Sequence, residues 1–161
     1  MITKKIGIGI LVILVLLQFI RPARNLGDAY TQNDIEHTVD VSAEVQQILN
    51  VSCYDCHSNS TIYPWYYSIQ PVGLWLRHHI NEGKGELNFS EFKSYTPKKQ
   101  MHKLDELVEM VRKGEMPMNS YLWIHKDAVL SADQQEVLVK WAEESRATIQ
   151  AANPNVTVTR K

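Results

Sequence analysis

Cysteine is nearly absent from this sequence, since the 161 residues contain only Cys53 and Cys56. A crosslink between residues this close would constrain little of the unfolded chain, so it could not hold a fold together. The scarcity therefore excludes a disulfide-built scaffold. It also indicates that the two thiols serve chemistry at a single place.

A dominant charge of one sign is also missing, because 17 basic side chains face 18 acidic ones and the formal net charge is −1. No basic excess of the kind that marks nucleic-acid binding is present, and no acidic run suggests a solvating tail. We therefore expect no nucleic-acid partner. A redox partner protein would have to bind through a local patch, which the sequence does not identify.

The alternating apolar pattern typical of β-strands is missing too, and the chain has no internal repeat. Apolar residues at helical spacing instead predict an all-α bundle of about four helices. The predicted helices cover residues 42–53, 69–81, 97–113 and 131–148. The four tryptophans available to fill the core are Trp65, Trp75, Trp123 and Trp141.

One long apolar run does occur, over residues 6–20, with Lys4 and Lys5 before it. Counted from Ile2, it offers roughly 19 residues, or about 28 Å of helix, which is close to the hydrocarbon thickness of a membrane. A cleaved signal peptide is the alternative, but no small-residue cleavage site follows the run. The sequence predicts a retained transmembrane anchor or signal-anchor over residues 1–21, with the rest of the chain exported.

The remaining chain divides into three parts by composition. Residues 22–40 mix Pro, Asn, Gly, Asp and Thr without periodicity and predict a linker. Residues 41–148 contain the helical patterns and predict the folded domain. Residues 149–161 predict a flexible tail.

The two cysteines belong to a C-x-x-C-H motif, Cys53-Tyr54-Asp55-Cys56-His57. Thiols at this spacing can form thioethers with the two vinyl groups of a haem, and the adjacent imidazole is then held beneath the iron as an axial ligand. The motif predicts one covalently bound haem c. A redox dithiol would require a preceding strand, and a zinc site would require two further ligands, so both remain as alternatives.

A second axial ligand would come from elsewhere in the chain. Met116 precedes Pro117 in a loop between two predicted helices, and its thioether would raise the reduction potential relative to a second histidine. Met118 could do the same. His79, on the apolar stripe of the second predicted helix, is the alternative ligand, although methionines and apolar-face histidines are more often core residues.

Several motifs of the chain together resemble the bacterial haem-binding domain family, over roughly residues 10 to 146. They are Cys53-Tyr54-Asp55-Cys56-His57-Ser58-Asn59, Tyr63-Pro64-Trp65-Tyr66, Asn81-Glu82-Gly83-Lys84, Leu87-Asn88-Phe89-Ser90, Gly114-Glu115-Met116-Pro117, Tyr121 and His125-Lys126-Asp127-Ala128. The resemblance implies a small exported protein with one haem and no particular reaction. The order of elements is also similar to that of class I cytochromes c. That similarity implies packing of Val45 and Ile48 against Leu138 and Trp141.

The function expected from these observations is single-electron transfer by a membrane-anchored monohaem c-type cytochrome facing the periplasm. Such a protein would be an electron carrier rather than an enzyme. The alternative is a haem enzyme or a sensor of peroxide or a diatomic gas, in which the iron face opposite His57 is open.

Overall fold

The computed structural model describes residues 2–158, and within these residues the fold is entirely helical. The prediction of an all-α fold is therefore confirmed. The α-helices are α1 (Ile2–Leu17), α2 (Ala43–Ser52), α3 (Tyr54–His57), α4 (Val72–Glu86), α5 (Pro97–Arg112), α6 (Asn119–Leu122) and α7 (Ala132–Ala152). Short 3-10 helices cover Ile35–His37, Trp65–Ser68, Phe89–Ser94 and Lys126–Ala128.

Helix α2 leads directly into the cysteine motif, as its sequence pattern predicts. The Ser42 hydroxyl accepts a hydrogen bond from the Val45 N–H and so satisfies a free donor of the first turn. Ile48 and Leu49 are buried on one face of the helix. The N–H of Cys53 still bonds to the Leu49 carbonyl at 2.9 Å, so the first cysteine is held at the end of a packed helix.

Helix α4 differs from the predicted helix over residues 69–81, because it begins at Val72 and continues through both Gly83 and Gly85 to Glu86. Glycine often follows the last residue of a helix, and the predicted end at residue 81 lies just before these two glycines. Gly83 instead permits a close approach between helices, since a Cβ atom there would lie 2.7 Å from the Cys56 carbonyl oxygen. The absence of a side chain lets α4 pack directly on α3.

The predicted apolar stripe of α4, which consists of Val72, Trp75, Leu76 and His79, is not the face that the helix buries. Val72 and Trp75 are 38% and 45% exposed, whereas Gly73 and Ile80 are buried. The expectation that four tryptophans fill the core is likewise wrong for three of them. Only Trp141 is buried, and its indole N–H donates to the Asp40 carbonyl at 2.9 Å.

Helices α5 and α7 pack side by side and form the centre of the core. Helix α5 starts at Pro97, which suits a first turn, and α7 starts with the predicted capping box between Ser131 and Gln134. Helix α2 also contacts α7, and the four side chains expected at that contact all belong to the core cluster. Those side chains are Val45, Ile48, Leu138 and Trp141.

The segments predicted as linker and tail are packed against this core. In residues 22–40, Asp34 and Ile35 have no exposed surface. At the other end, α7 continues four residues beyond the predicted boundary at 148, Ile149 is buried, and Val156 packs against the core. The ordered chain therefore extends past both predicted boundaries of the domain. Residues 159–161 of the predicted tail lie outside the described part of the chain.

The N-terminal apolar run forms helix α1, whose apolar side chains are largely exposed. Among residues 2–158, no helix has the length and apolar character needed to cross a bilayer. Helix α1 has 16 residues, so it reaches about 24 Å, which is less than the roughly 30 Å of a hydrocarbon core. The prediction of a transmembrane helix is therefore not supported. The Gln18 side chain, just after α1, exchanges two hydrogen bonds with the backbone of Gln70.

Candidate functional site

The C-x-x-C-H motif folds into a single helical turn at the end of α2. The N–H groups of Cys56 and His57 both bond to the carbonyl of Cys53, at 3.1 and 2.9 Å. This turn directs both thiols and the imidazole toward one cavity of about 460 Å³, called the large cavity below. The three chemically active residues of the motif therefore line the same cavity.

The imidazole of His57 is held in one tautomer. Its Nδ1 atom lies 2.9 Å from the carbonyl oxygen of Leu87, and a carbonyl can only accept, so Nδ1 carries the proton. Burial lowers the pKa of His57, which favours the neutral ring. The Gly83 carbonyl also lies close to the ring, and no described hydrogen bond involves Nε2. A neutral imidazole with one nitrogen bonded to a carbonyl is the usual form of a metal-ligating histidine.

The two cysteine thiols form no disulfide, and their burial disfavours the thiolate form. Both are free cysteines, and burial raises the pKa of Cys53 to about 12 and that of Cys56 to about 11. A redox-active dithiol instead requires a lowered thiol pKa, and no β-strand precedes the motif in residues 2–158. The structure therefore does not support the dithiol alternative.

The zinc alternative also lacks support. Within the described residues, no group of three or more His, Cys, Asp or Glu side chains converges to hold a metal ion. A structural zinc site would require four such ligands. The two thiols and the imidazole that line the large cavity are instead the residue types that would hold a haem, through thioethers and one iron–nitrogen bond.

A smaller cavity of about 230 Å³ adjoins the large cavity. The two share six lining residues, which are Ser52, Cys53, His57, Glu86, Met116 and Pro117. The wall of the smaller cavity is mostly apolar and includes Leu107, Val111 and Leu138. Together the cavities form a cleft of the size that binds small molecules and cofactors, with the cysteine motif on one side.

Met116 reaches this cleft because of the way α5 ends. Gly114 has a φ of +67° and forms a Schellman motif, in which its N–H bonds to Val111 O and the N–H of Glu115 bonds to Met110 O. The N–H of Met116 bonds to the same Met110 carbonyl. Met116 thus lines both cavities, as His57 does.

The alternative ligand His79 lines only the large cavity, as does Met118. The His79 ring lies edge-on to Trp75, with the ring centroids 4.5 Å apart, and its Nδ1 is 3.6 Å from the Glu82 carboxylate. His78 and His102 have side chains 65% and 55% exposed, and neither lines the cleft. All three candidates for the second axial position line the large cavity, and Met116 also lines the smaller one.

Two residues of the site were not predicted to act there. The Tyr121 hydroxyl donates to Asp55 Oδ2 at 2.9 Å, and both residues line the large cavity. Burial and the Asp55 carboxylate raise the pKa of Tyr121, so its hydroxyl remains a donor. Asp55 lies between the cysteines, and Tyr121 follows the Met-Pro sequence. The order of these motifs was the only signal in the sequence that could have linked them.

A charged triad lies at the rim of the smaller cavity. The Lys103 ammonium bonds to Glu86 at 2.8 Å and to Glu106 at 2.6 Å, and its side chain is only 13% exposed. These two carboxylates raise the pKa of Lys103 against the opposing effect of burial. The triad gives the cleft a polar edge beside its apolar wall, since Lys103 and Glu106 lie on α5 with Leu107 and Val111.

The model of a haem-binding domain matches residues 12–144, which is most of the chain. The protein therefore belongs to the haem-binding domain family. Comparisons with curated proteins and with solved structures give no match. Family membership supports haem as the cofactor of the cleft, and a neutral His57 imidazole beside two thiols fits that cofactor.

Proposed function

We propose that this protein is a monohaem c-type cytochrome that transfers single electrons. In this proposal Cys53 and Cys56 form thioethers with the haem, and His57 is the axial ligand on one face. The observation that carries the proposal is the shared position of these three side chains on one cleft, with the His57 tautomer fixed by Leu87. The haem would supply the one-electron redox chemistry.

The proposed ligand on the other face is Met116. Its position across both cavities supports this choice over His79 and Met118, which line only one. A thioether ligand would favour the reduced state and raise the potential relative to two histidines. With both axial positions filled by the chain, no position would be left for substrate, which supports a carrier rather than an enzyme or a gas sensor.

The proposed location is the extracytoplasmic side of the cytoplasmic membrane. Covalent haem attachment in bacteria takes place there, so the cysteine motif supports export. The exposed apolar side chains of α1 support contact of this helix with the membrane. Cell fractionation followed by an alkaline wash would test both points, and recovery of a haem-free chain in the cytosol would contradict them.

The test of haem attachment is expression of the full chain with the c-type maturation machinery. Intact mass spectrometry should show one haem that survives acidic acetone extraction. Replacing Cys53 and Cys56 by Ala should abolish covalent retention, whereas Ser52→Ala should keep it, because Ser52 lines the cleft without the chemistry to form a thioether. A wild-type chain with the bare polypeptide mass and free thiols would refute the proposal.

The second axial ligand can be assigned by visible spectroscopy with and without carbon monoxide. The wild-type protein should be low-spin and should not bind carbon monoxide rapidly. Met116→Leu should create a high-spin, carbon monoxide-reactive form, while His79→Ala and its exposed neighbour His78→Ala should not. Rapid carbon monoxide binding by the wild-type protein would favour the enzyme or sensor alternative instead.

A further inference from the structure

The segment that contains Met116 is attached to the cysteine motif by a hydrogen bond from Tyr121 to Asp55. Electron transfer by a haem does not by itself require this bond. We propose that the hydrogen bond between Asp55 and Tyr121 positions residues 116–122 over the cleft and so controls whether Met116 faces His57. The inference rests on the proposed function for its consequence at the haem. The contact itself is a property of the polypeptide.

The Asp55 carboxylate is fixed from both sides. Its Oδ2 accepts from the Tyr121 hydroxyl at 2.9 Å, and its Oδ1 accepts from the Ile62 N–H at 2.9 Å. The Asp55 carbonyl also accepts from the Thr61 hydroxyl at 2.7 Å. Because Asp55 is bonded at three atoms, it is a rigid anchor and not a mobile surface acid.

The segment that Tyr121 belongs to has little other support. Helix α6 is a single turn whose first residue has no side-chain cap. In the described part of the chain, the Tyr121 hydroxyl makes the one side-chain hydrogen bond between residues 115–122 and residues 53–57. The far end of the segment is held through Tyr121 as well, since its ring stacks on His125 at 4.0 Å.

The two attachment points of the segment lie on either side of Met116. The Schellman turn at Gly114 holds the side nearest α5, and Tyr121 holds the other side on the cysteine motif. Removing the second point would leave the segment held only at its two ends, at the Schellman turn and at buried Ala128, whose carbonyl accepts from the Ser52 hydroxyl. A hydrogen bond to a charged acceptor shifts such an equilibrium by about ten- to a hundredfold.

The test compares Tyr121→Phe with Tyr66→Phe in the full-length chain, with and without haem. Tyr121→Phe keeps the ring and removes only the hydroxyl. Tyr66 lies near the same carboxylate, and no described hydrogen bond joins it to Asp55. Hydrogen exchange in the peptide covering residues 114–124 should rise about tenfold or more in Tyr121→Phe and stay unchanged in Tyr66→Phe. Peptides from α5 and α7 should be unchanged in both variants, which shows that the fold is intact.

In the haem-loaded protein, Tyr121→Phe should increase the carbon monoxide-reactive fraction about tenfold, without changing the amount of haem attached. Asp55→Asn retains an acceptor oxygen but not the charge, so the carbon monoxide-reactive fraction should increase less than in Tyr121→Phe. If Tyr121→Phe fails to fold, Asp55→Asn provides the test instead. If the peptide covering residues 114–124 exchanged hydrogen at the wild-type rate in Tyr121→Phe, the inference would be overturned. If the wild-type chain attaches no haem, the proposed function fails, but the exchange comparison still decides whether Tyr121 holds the segment.

Discussion

At the scale of the residue, the buried carboxylate of Asp34 makes the stability of the fold depend on pH. Asp34 has no exposed surface, and burial raises its pKa above the ordinary value of an aspartate side chain. A carboxyl group whose pKa is raised in the folded state contributes stability below its unfolded pKa. That contribution is lost as the pH rises through the folded pKa, because the buried group must then ionise.

Replacing Asp34 by Asn should therefore reduce the loss of stability between about pH 4 and neutrality. The amide keeps an oxygen that can accept from the Glu36 N–H, as Asp34 Oδ1 does at 3.0 Å. Urea unfolding at a series of pH values measures the effect. The matched control is Asp28→Asn, because exposed Asp28 makes the same bond to the N–H two residues on. Equal pH dependence in Asp34→Asn and wild type would contradict the prediction.

The residues of the site divide by how far their partners lie along the chain. The roles of Cys53, Cys56 and His57 could be predicted because the C-x-x-C-H spacing is itself typical of haem attachment. The Leu87 carbonyl and Tyr121 could not, since their roles depend on contacts across roughly thirty and sixty positions of sequence. Every residue has a backbone carbonyl, so the identity of residue 87 does not indicate that its carbonyl orients His57.

At the scale of the element, the contact between α3 and α4 depends on one glycine. Gly83→Ala would place a Cβ atom 2.7 Å from the Cys56 carbonyl oxygen, whereas a Cβ at Gly85 meets nothing within 4 Å. We expect Gly83→Ala to destabilise the fold by about 1–3 kcal/mol, since the helices must separate. Gly85→Ala should be neutral or stabilising by up to about 1 kcal/mol, because Ala favours the helix.

Denaturant unfolding of the two glycine variants gives both values directly. The same displacement of α4 should disturb the bond between His57 and Leu87, so haem-loaded Gly83→Ala should also show an altered reduction potential. Equal stability of Gly83→Ala and Gly85→Ala would contradict the conclusion that α4 packs closely on α3 at Gly83.

Helix positions were predicted well where caps mark them and poorly where glycine was ambiguous. The sequence marks the start of α7 by Ser131 with Gln134 and the start of α5 by Pro97. A glycine can end a helix or permit close packing, and only the neighbouring Cys56 decides between these roles for Gly83. The local sequence does not contain that neighbour.

At the scale of the whole molecule, the cleft is a gap in the core between α2, α5 and the Met116 segment. Loss of the haem should lower the free energy of unfolding by more than about 3 kcal/mol, because only the folded chain forms the cleft that the group fills. The comparison is between matured wild type and wild type produced without the maturation machinery, which keeps both thiols. Cys53→Ala/Cys56→Ala should match the haem-free chain, and equal unfolding midpoints for all three would exclude a cofactor role in folding.

The fold class followed from helical periodicity, but the distribution of exposed aromatic side chains did not. Trp65 and Trp123 are 80% and 72% exposed, although composition alone placed them inside. Burial depends on how helices are arranged around the cleft. Periodicity describes each helix separately and so cannot supply that arrangement.

The acceptor that orients His57 is a main-chain atom, and this has a consequence for how the protein can vary. A side-chain acceptor can be deleted or ionised by one substitution, but the Leu87 carbonyl is present whatever residue occupies that position. Mutational drift at position 87 therefore leaves the imidazole orientation intact. The orientation of the His57 ring changes only when a substitution moves the backbone, as a larger residue at position 83 would.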